Sequence, residues 1–223
     1  MVKKDLGEDS FTSWNERMAL KYNPHDYHTK SVFVVRFVER MRVRAILKLL
    51  SPKSEDKILE IGCGAGNILE AIPNGMAFGG DLSASLLRIA KTKTYKTHCD
   101  LLQFYGESMP FPDASFEKVY CSEVLEHVPE PSKICKEAHR LLKANGSFVI
   151  SVPNEKSIDR LKSFCRKIFL GSWITSCSDE WHLHSFDLAL LKETLSAYFK
   201  VMKIRWIPFR LLPMRIVVLC KKI

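Results

Sequence analysis

The sequence predicts a doubly wound α/β protein: seven strands, mostly parallel, with an antiparallel finish and helices on both faces. Three observations predict it. Short apolar runs alternate with helical stretches through the middle of the chain, as in βαβ units. A glycine-rich turn follows the first of those runs. The last two apolar runs are separated by a turn too short for a parallel crossover, so they are expected to pair antiparallel.

Taken in order, residues 1–30 read as polar and irregular, with Trp14, Tyr22, Tyr27 and His28 interspersed. From Ser31 to Leu50 the apolar residues Val34, Phe37, Val38, Met41, Ala45 and Leu49 recur at helical spacing. Arg36, Arg40, Arg42, Arg44 and Lys48 fill the other face, which makes an amphipathic helix that Ser51-Pro52 stops. Strands are then expected at Lys57–Ile61, Met76–Gly80, Leu101–Tyr105, Lys118–Ser122 and Ser147–Val152. Helices are expected between them at Asn67–Ala71, Ala84–Thr92 and Ser132–Leu142. A late helix, Asp187–Tyr198, precedes strands Val201–Trp206 and Met214–Cys220, joined by a Pro208–Pro213 turn. Residues 1–50 are expected to form an N-terminal lid segment and helix, and 51–223 the main domain, with a cap insertion at about 154–186.

At 223 residues and 46% hydrophobic content, the chain is expected to be one domain with a real core. No apolar run approaches membrane-spanning length, and Met1-Val2-Lys3-Lys4-Asp5 lacks a signal-peptide core. The seven cysteines are scattered and contain no C-x-x-C pair, which argues against a disulfide framework or a zinc knuckle and for a reducing cytoplasm. The net charge of +9 is uneven: from Lys156 to Ile223 there are 13 Lys and Arg against 5 Asp and Glu. That stretch suits an anionic partner (a phosphate-bearing substrate, a membrane surface or nucleic acid) or simply a solvated surface.

The chemistry concentrates at Lys57-Ile58-Leu59-Glu60-Ile61-Gly62-Cys63-Gly64-Ala65-Gly66-Asn67. A strand ends in a carboxylate, and three glycines on alternate positions follow. Glycines let a ligand approach the backbone where a Cβ would collide. The expected helix behind them would aim free N–H groups at an anion. Glu60 offers the opposite charge. A ligand wanting both carries an ammonium and a carboxylate, as at the amino-acid end of S-adenosylmethionine (SAM).

Five blocks in order resemble the class I SAM-dependent methyltransferases, specifically the methyltransferase type 11 group, over roughly 55–220. Ile58–Gly66 looks like that family's first motif and Gly79-Gly80-Asp81-Leu82-Ser83 like the end of its second strand. Met109–Glu117 resembles its "LPFPDxSFD", Ser122–Pro129 its "xxxLEHV", and Arg140–Gly146 its "RxLKPGG". The resemblance implies a Rossmann-like fold and SAM as methyl donor, with S-adenosylhomocysteine as product. Gly62, Cys63, Gly64 and Gly66 would wrap the methionine part. Glu60 would bind it through its carboxylate or through neighbouring backbone and water; a plain surface charge is the alternative. Asp81 would accept both ribose hydroxyls, and Leu82 would lie against the adenine. Only Gly106-Glu107-Ser108-Met109 separates Tyr105 from Pro110, about two residues fewer than the family's pattern. Glu107 is the candidate acceptor for the adenine amino group there, with a solvated loop as the alternative. Ser122 and Glu123 would border the cofactor, and Val124 and His127 would lie near the methyl group or its acceptor.

Methyl transfer from a sulfonium needs alignment and dryness first, and a base only where the acceptor must lose a proton. His127 is the leading base candidate; its alternative is a loop-capping histidine. His182 and His184, in Trp181-His182-Leu183-His184-Ser185-Phe186, are substrate-side candidates. Cys177 is close in sequence, but the spacing matches no zinc pattern, and no metal is expected. In the insertion Asn154–Glu180, Ile158, Leu161, Phe164, Cys165, Ile168 and Phe169 form a helical stripe, with Arg160, Lys162, Arg166 and Lys167 off it and Trp173 and Ile174 following. That is either a cap over the acceptor pocket or, through 158–174, a helix at an anionic membrane surface of the inner face. Quinone-biosynthesis methyltransferases, which the chain resembles generally, act on lipid-soluble acceptors.

The expected activity is methyl transfer to an O, N or C atom of a small molecule. One rival is a methyltransferase for RNA or protein, though the chain has no motif for flipped-base amino groups and no recognisable RNA module, which argues against nucleic acid. Another is a non-catalytic SAM-binding subunit. A nicotinamide dehydrogenase would carry G-x-G-x-x-G, where this chain has G-x-G-x-G.

Overall fold

A computed structural model describes residues 8–22, 33–94, 99–167 and 181–223. Seven strands form one sheet: β1 (Lys57–Ile61), β2 (Met76–Asp81), β3 (Cys99–Gln103), β4 (Phe116–Ser122), β5 (Leu142–Pro153), β6 (Phe199–Phe209) and β7 (Leu212–Lys222). Their spatial order is β3-β2-β1-β4-β5-β7-β6. The first five are mutually parallel, and β7 runs antiparallel to both β5 and β6. The helices are α1 (Glu8–Lys21), α2 (Phe33–Leu50), α3 (Ala84–Thr94), α4 (Pro131–Leu141), α5 (Glu155–Lys167) and α6 (Leu188–Leu195).

Strand alternation sorts the core into two layers. Leu59, Ile61, Val119, Phe148, Ile150 and Val218 point to the face covered by Ile134, Ala138 and Leu141 of α4 and Leu191 and Leu195 of α6. Ile58, Tyr120, Val149 and Val217 point to the other face, against Val38, Ile46, Leu49 and Leu50 of α2. Glu60 shares the second face, because it alternates with Ile61 and is the register partner of Tyr120. On the first face four rings lock together. Phe116 meets Phe78 and Phe111 edge-on at 5.4 and 5.1 Å, and Phe111 meets Phe104 at 5.9 Å.

Several sequence expectations change. The helix expected at Asn67–Ala71 is only a three-residue 3-10 turn, Leu69–Ala71. Pro73 follows, and its ring pushes Ile72 into extended backbone (ψ 116°), so the turn stops before a helix forms. Among the described residues no helix of useful length begins directly behind the glycine loop. The N-terminal stretch read as irregular contains α1, whose Phe11, Trp14 and Ala19 are buried at helical spacing. Arg42, placed on the polar face of its helix, is 4% exposed. β3 begins and ends two residues earlier than expected, and β4 begins at Phe116, while β5 extends back to Leu142 past a register shift. The Pro208–Pro213 turn is shorter than expected, because Pro208 and Pro213 are themselves paired across the hairpin. Pro208 is tolerated there because β6 is an edge strand. Asp187 caps α6 instead of beginning it, accepting the Leu190 amide at 2.9 Å.

Tyr27, His28, Ile168, Phe169, Trp173, Ile174 and Cys177 lie outside the described residues, as do the side chains of Lys162, Phe164, Cys165, Arg166 and Lys167. Of the stretch 158–174, expected as a cap or as a helix at a membrane surface, the described residues show one helix in which Ile158 and Leu161 are half-buried and Asp159 and Arg160 exposed. Among the described residues no helix is long and apolar enough to cross a membrane.

Phe116 belongs to the ring cluster and is 2% exposed. Phe116→Ala is expected to lower unfolding free energy by about 3–5 kcal/mol, and Phe116→Leu by clearly less, in urea titrations followed by circular dichroism.

Candidate active site

Strand order reverses between β1 and β4, and the crevice beyond their carboxyl ends is where open α/β sheets bind ligands. A cavity of about 1060 Å³ opens there. That is at the upper end of ligand-pocket sizes, which run to roughly 1,000 Å³. Its floor is the loop after β1. Gly62 has φ +70° and Gly64 φ +50°, in the left-handed region. A Cβ on Gly62 would stand 2.2 Å from a Val124 methyl, so that position has to be glycine.

Asp81, at the tip of β2, holds this loop. Its Oδ2 accepts the Gly64 amide at 2.7 Å and its Oδ1 the Ser83 amide at 2.8 Å. Burial pushes its carboxyl upward, against these two hydrogen bonds. A carboxylate has about four lone-pair sites, so each oxygen keeps capacity toward the cavity. Ser83 in turn accepts the Leu86 amide at 3.2 Å and starts α3.

Glu60 is 2% exposed and accepts the Tyr120 hydroxyl at 2.8 Å. Burial raises its carboxyl to about 8, with the Tyr120 bond and the Arg42 charge pulling the other way. Burial therefore favours the protonated form of Glu60. Arg42 reaches the same wall, donating from Nε to Glu39 at 2.9 Å and from Nη1 to the Ser122 hydroxyl. Beside it, Arg215 bridges Glu39 at 3.6 Å and Glu123 at 2.7 Å. Glu123 also accepts the Ser151 hydroxyl at 2.8 Å. Those partners hold it at φ +57°, a conformation costly for a residue with a Cβ.

Elsewhere on the cavity wall His127 stacks obliquely on Trp181 at 4.4 Å and edge-on to His182 at 4.9 Å. His127 Nδ1 lies 3.2 Å from the Trp181 carbonyl, so it carries the proton and Nε2 keeps the lone pair. Burial and the neighbouring His182 push its pKa down to about 3. The neutral-pH basicity expected of His127 is thus absent: the ring offers a lone pair but little proton affinity. His182 pairs through Nδ1 with Glu155. His184 Nε2 faces the carbonyls of Val128 and Pro129 at 3.0 and 3.2 Å, which pins a loop.

The cavity wall brings together Glu60, Gly62, Cys63, Gly64, Asp81, Leu82, Glu107, Ser108, Ser122, Glu123 and His127. Gly66, Met109, His182 and His184 are not on it. Gly66 turns the loop against Ala90 of α3, where a Cβ would sit at 3.1 Å. Met109 is in the core, and its amide is taken by Glu137 at 3.0 Å. Sequence reasoning missed Phe11, Asn15 and Ala19 of α1, which roof the cavity, and Arg42 and Trp181, which line it. The 11-14-19 spacing carried the signal for α1; the buried arginine carried none.

A family model described as "Methyltransferase domain" matches residues 59–150. The 27-O-demethylrifamycin SV methyltransferase of Amycolatopsis mediterranei is 26% identical over 84% of this chain and 73% of that one. The ubiquinone biosynthesis O-methyltransferase of Idiomarina loihiensis is 32% identical over 44% of this chain and 42% of its own length, so the chain spans less than half of that relative. Among solved structures, a SAM-dependent methyltransferase of Thermotoga maritima superposes with a TM-score of 0.67 at 17% identity, over 96% of this chain and 100% of that one. One from Aquifex aeolicus does so at 0.63 and 14%, over 83% of this chain and 98% of that one. Residues 59–150 match a methyltransferase domain, and the chain that carries them is similar over most of its length to a methyltransferase.

Proposed function

We propose that this chain binds SAM in the cavity beyond β1 and β4 and transfers its methyl group to a hydroxyl oxygen of a small organic acceptor. The observation that carries the reading is the joining of Asp81 to Gly64 across a cavity that Glu60 also faces. The residues fit the cofactor. Two buried carboxylates suit an ammonium and a pair of hydroxyls, Leu82 and Phe104 offer apolar surface to a flat ring, and Glu107 and Ser108 stand beyond them for its polar edge. The hydroxyl acceptor is supported by the relatives, one named for a 27-O-demethylated rifamycin and one named a ubiquinone biosynthesis O-methyltransferase.

The bound cofactor supplies a methyl group already activated by a sulfonium charge. The protein's part is to fix and dry the reactants. Asp81 and the 62–64 backbone orient the donor. Glu123, His127 and Trp181 form the acceptor wall, and α1 closes the opening from above. Orientation of this kind supplies about 7–11 kcal/mol in favourable cases, more than a general base adds. A pKa near 3 leaves His127 ill suited to keep an acceptor's proton.

Calorimetry with SAM, then labelled SAM with small-molecule extracts and mass spectrometry of the labelled product, tests the reading. Absence of heat at millimolar SAM defeats it, and binding without transfer to any acceptor reduces the chain to a binding subunit. Asp81→Ala removes charge-assisted hydrogen bonds worth about 1.5–3 kcal/mol each, so SAM affinity is expected to fall about tenfold or more. Glu60 gives a pH signature. Its folded pKa of about 8 lies above its unfolded value near 4.5, so its contribution to stability is full below about pH 4.5 and is lost as pH rises through 8. In the absence of cofactor, wild type is expected to lose more stability than Glu60→Gln between pH 5 and 8.5; urea midpoints at the two pH values measure it.

A further inference from the structure

We propose that Glu126, His127 and His182 form a binding site for one divalent transition-metal ion at the rim of the cofactor cavity. One ligand atom from each lies within 4.8 Å of the others. Glu126 is 1% exposed, yet neither of its carboxylate oxygens has a hydrogen-bond partner among the described residues. A buried carboxylate without partners is expensive, and a cation is what removes the cost. The neutral His127 Nε2 stands 3.9 Å from Glu126 Oε1, beyond hydrogen-bond reach.

The two imidazoles are prepared as ligands. Each has Nδ1 engaged away from the cluster, His127 with the Trp181 carbonyl and His182 with the Glu155 carboxylate. Both therefore turn Nε2, the atom with the lone pair, toward the gap. A carboxylate or carbonyl behind a histidine is the usual outer support of a metal-bound imidazole. The backbone fixes the third member. The Glu126 carbonyl accepts the amides of Leu183 at 2.6 Å and His184 at 3.2 Å, which ties the His182 segment to the end of the β4 loop. The other charges nearby are already satisfied: Glu123 by Ser151 and Arg215, Arg215 by Glu39 and Glu123. Ligands about 2.0–2.2 Å from one ion sit roughly 3–3.6 Å apart, so the three side chains need to draw in by about 1 Å.

Two imidazoles and one carboxylate favour manganese, iron, cobalt or zinc over calcium and magnesium. Three protein ligands leave positions open. His127 lines the cavity, so those positions face the acceptor side. There the ion takes the acceptor hydroxyl as a ligand. The hydroxyl proton passes to solvent, its oxygen bonds to the methyl carbon, and the carbon–sulfur bond breaks with its electron pair on sulfur. This role rests on the methyl-transfer reading above; the binding of the ion does not.

The test uses the full chain stripped with chelator and dialysed against Mn²⁺ or Zn²⁺, with Mg²⁺ and Ca²⁺ alongside, followed by metal analysis. Expected is one Mn²⁺ or Zn²⁺ per chain. Affinity is expected to fall about tenfold or more in Glu126→Gln, in His182→Ala and in the outer-support variant Glu155→Gln, and to be unchanged in His139→Ala. Nitrogen coupling in the Mn²⁺ paramagnetic resonance spectrum is expected to weaken in His182→Ala. Failure of wild type to retain either ion, or retention undiminished in all three variants, overturns the site. SAM calorimetry on the same samples separates the two proposals, since loss of SAM binding with the ion retained strikes the cofactor reading and leaves the metal site standing.

Discussion

Two hydrogen bonds to the Asp81 carboxylate, one from the Gly64 amide and one from the Ser83 amide, hold the crevice in shape. They join the loop after β1 to the turn after β2, so the two chain reversals at the top of the sheet move as one unit. The glycine φ values, the start of α3 and the line of the cavity floor all follow from that junction. The same carboxylate keeps lone pairs for a ligand, so structure and binding draw on one group at the point where strand order reverses.

A second layer of organisation is ionic and buried. Glu39, Arg42 and Arg215 link α2 and β7 to Ser122 and Glu123 at the end of β4. Burying such charges costs several kcal/mol each unless partners meet them, and replacement by apolar side chains is often no less stable. The network is better understood as a fixer of position. It sets Glu123 in a left-handed backbone conformation and brings an arginine to a wall otherwise lined by acids, where it moderates the rise in the Glu60 pKa.

The fold was largely legible because strands and helices here obey period and punctuation. The glycine triplet, Asp81 and the short final hairpin each have a local cause. What was not legible depends on pairing across the sheet. Nothing local in Glu60 reveals that Tyr120 lies beside it in register, or that Arg42 leaves its helix's polar face for the interior. The cluster of Glu126, His127 and His182 combines an i,i+1 pair with a residue 55 positions later, and Glu155 lies on yet another element. The short turn at Leu69 was readable in principle from Pro73, whose effect on the residue before it outweighed the helical spacing.

The basic last third of the chain acquires a meaning from the sheet order. β6 is the outermost strand on its side, 11 residues long, with one row of backbone groups open to solvent. Lys200, Lys203 and Arg205 are exposed along it, and Pro208 lies near its end. Cations and proline on a long edge discourage a second chain from adding a strand there. Part of the charge surplus therefore lies where it disfavours strand addition, whether or not any anion is ever bound.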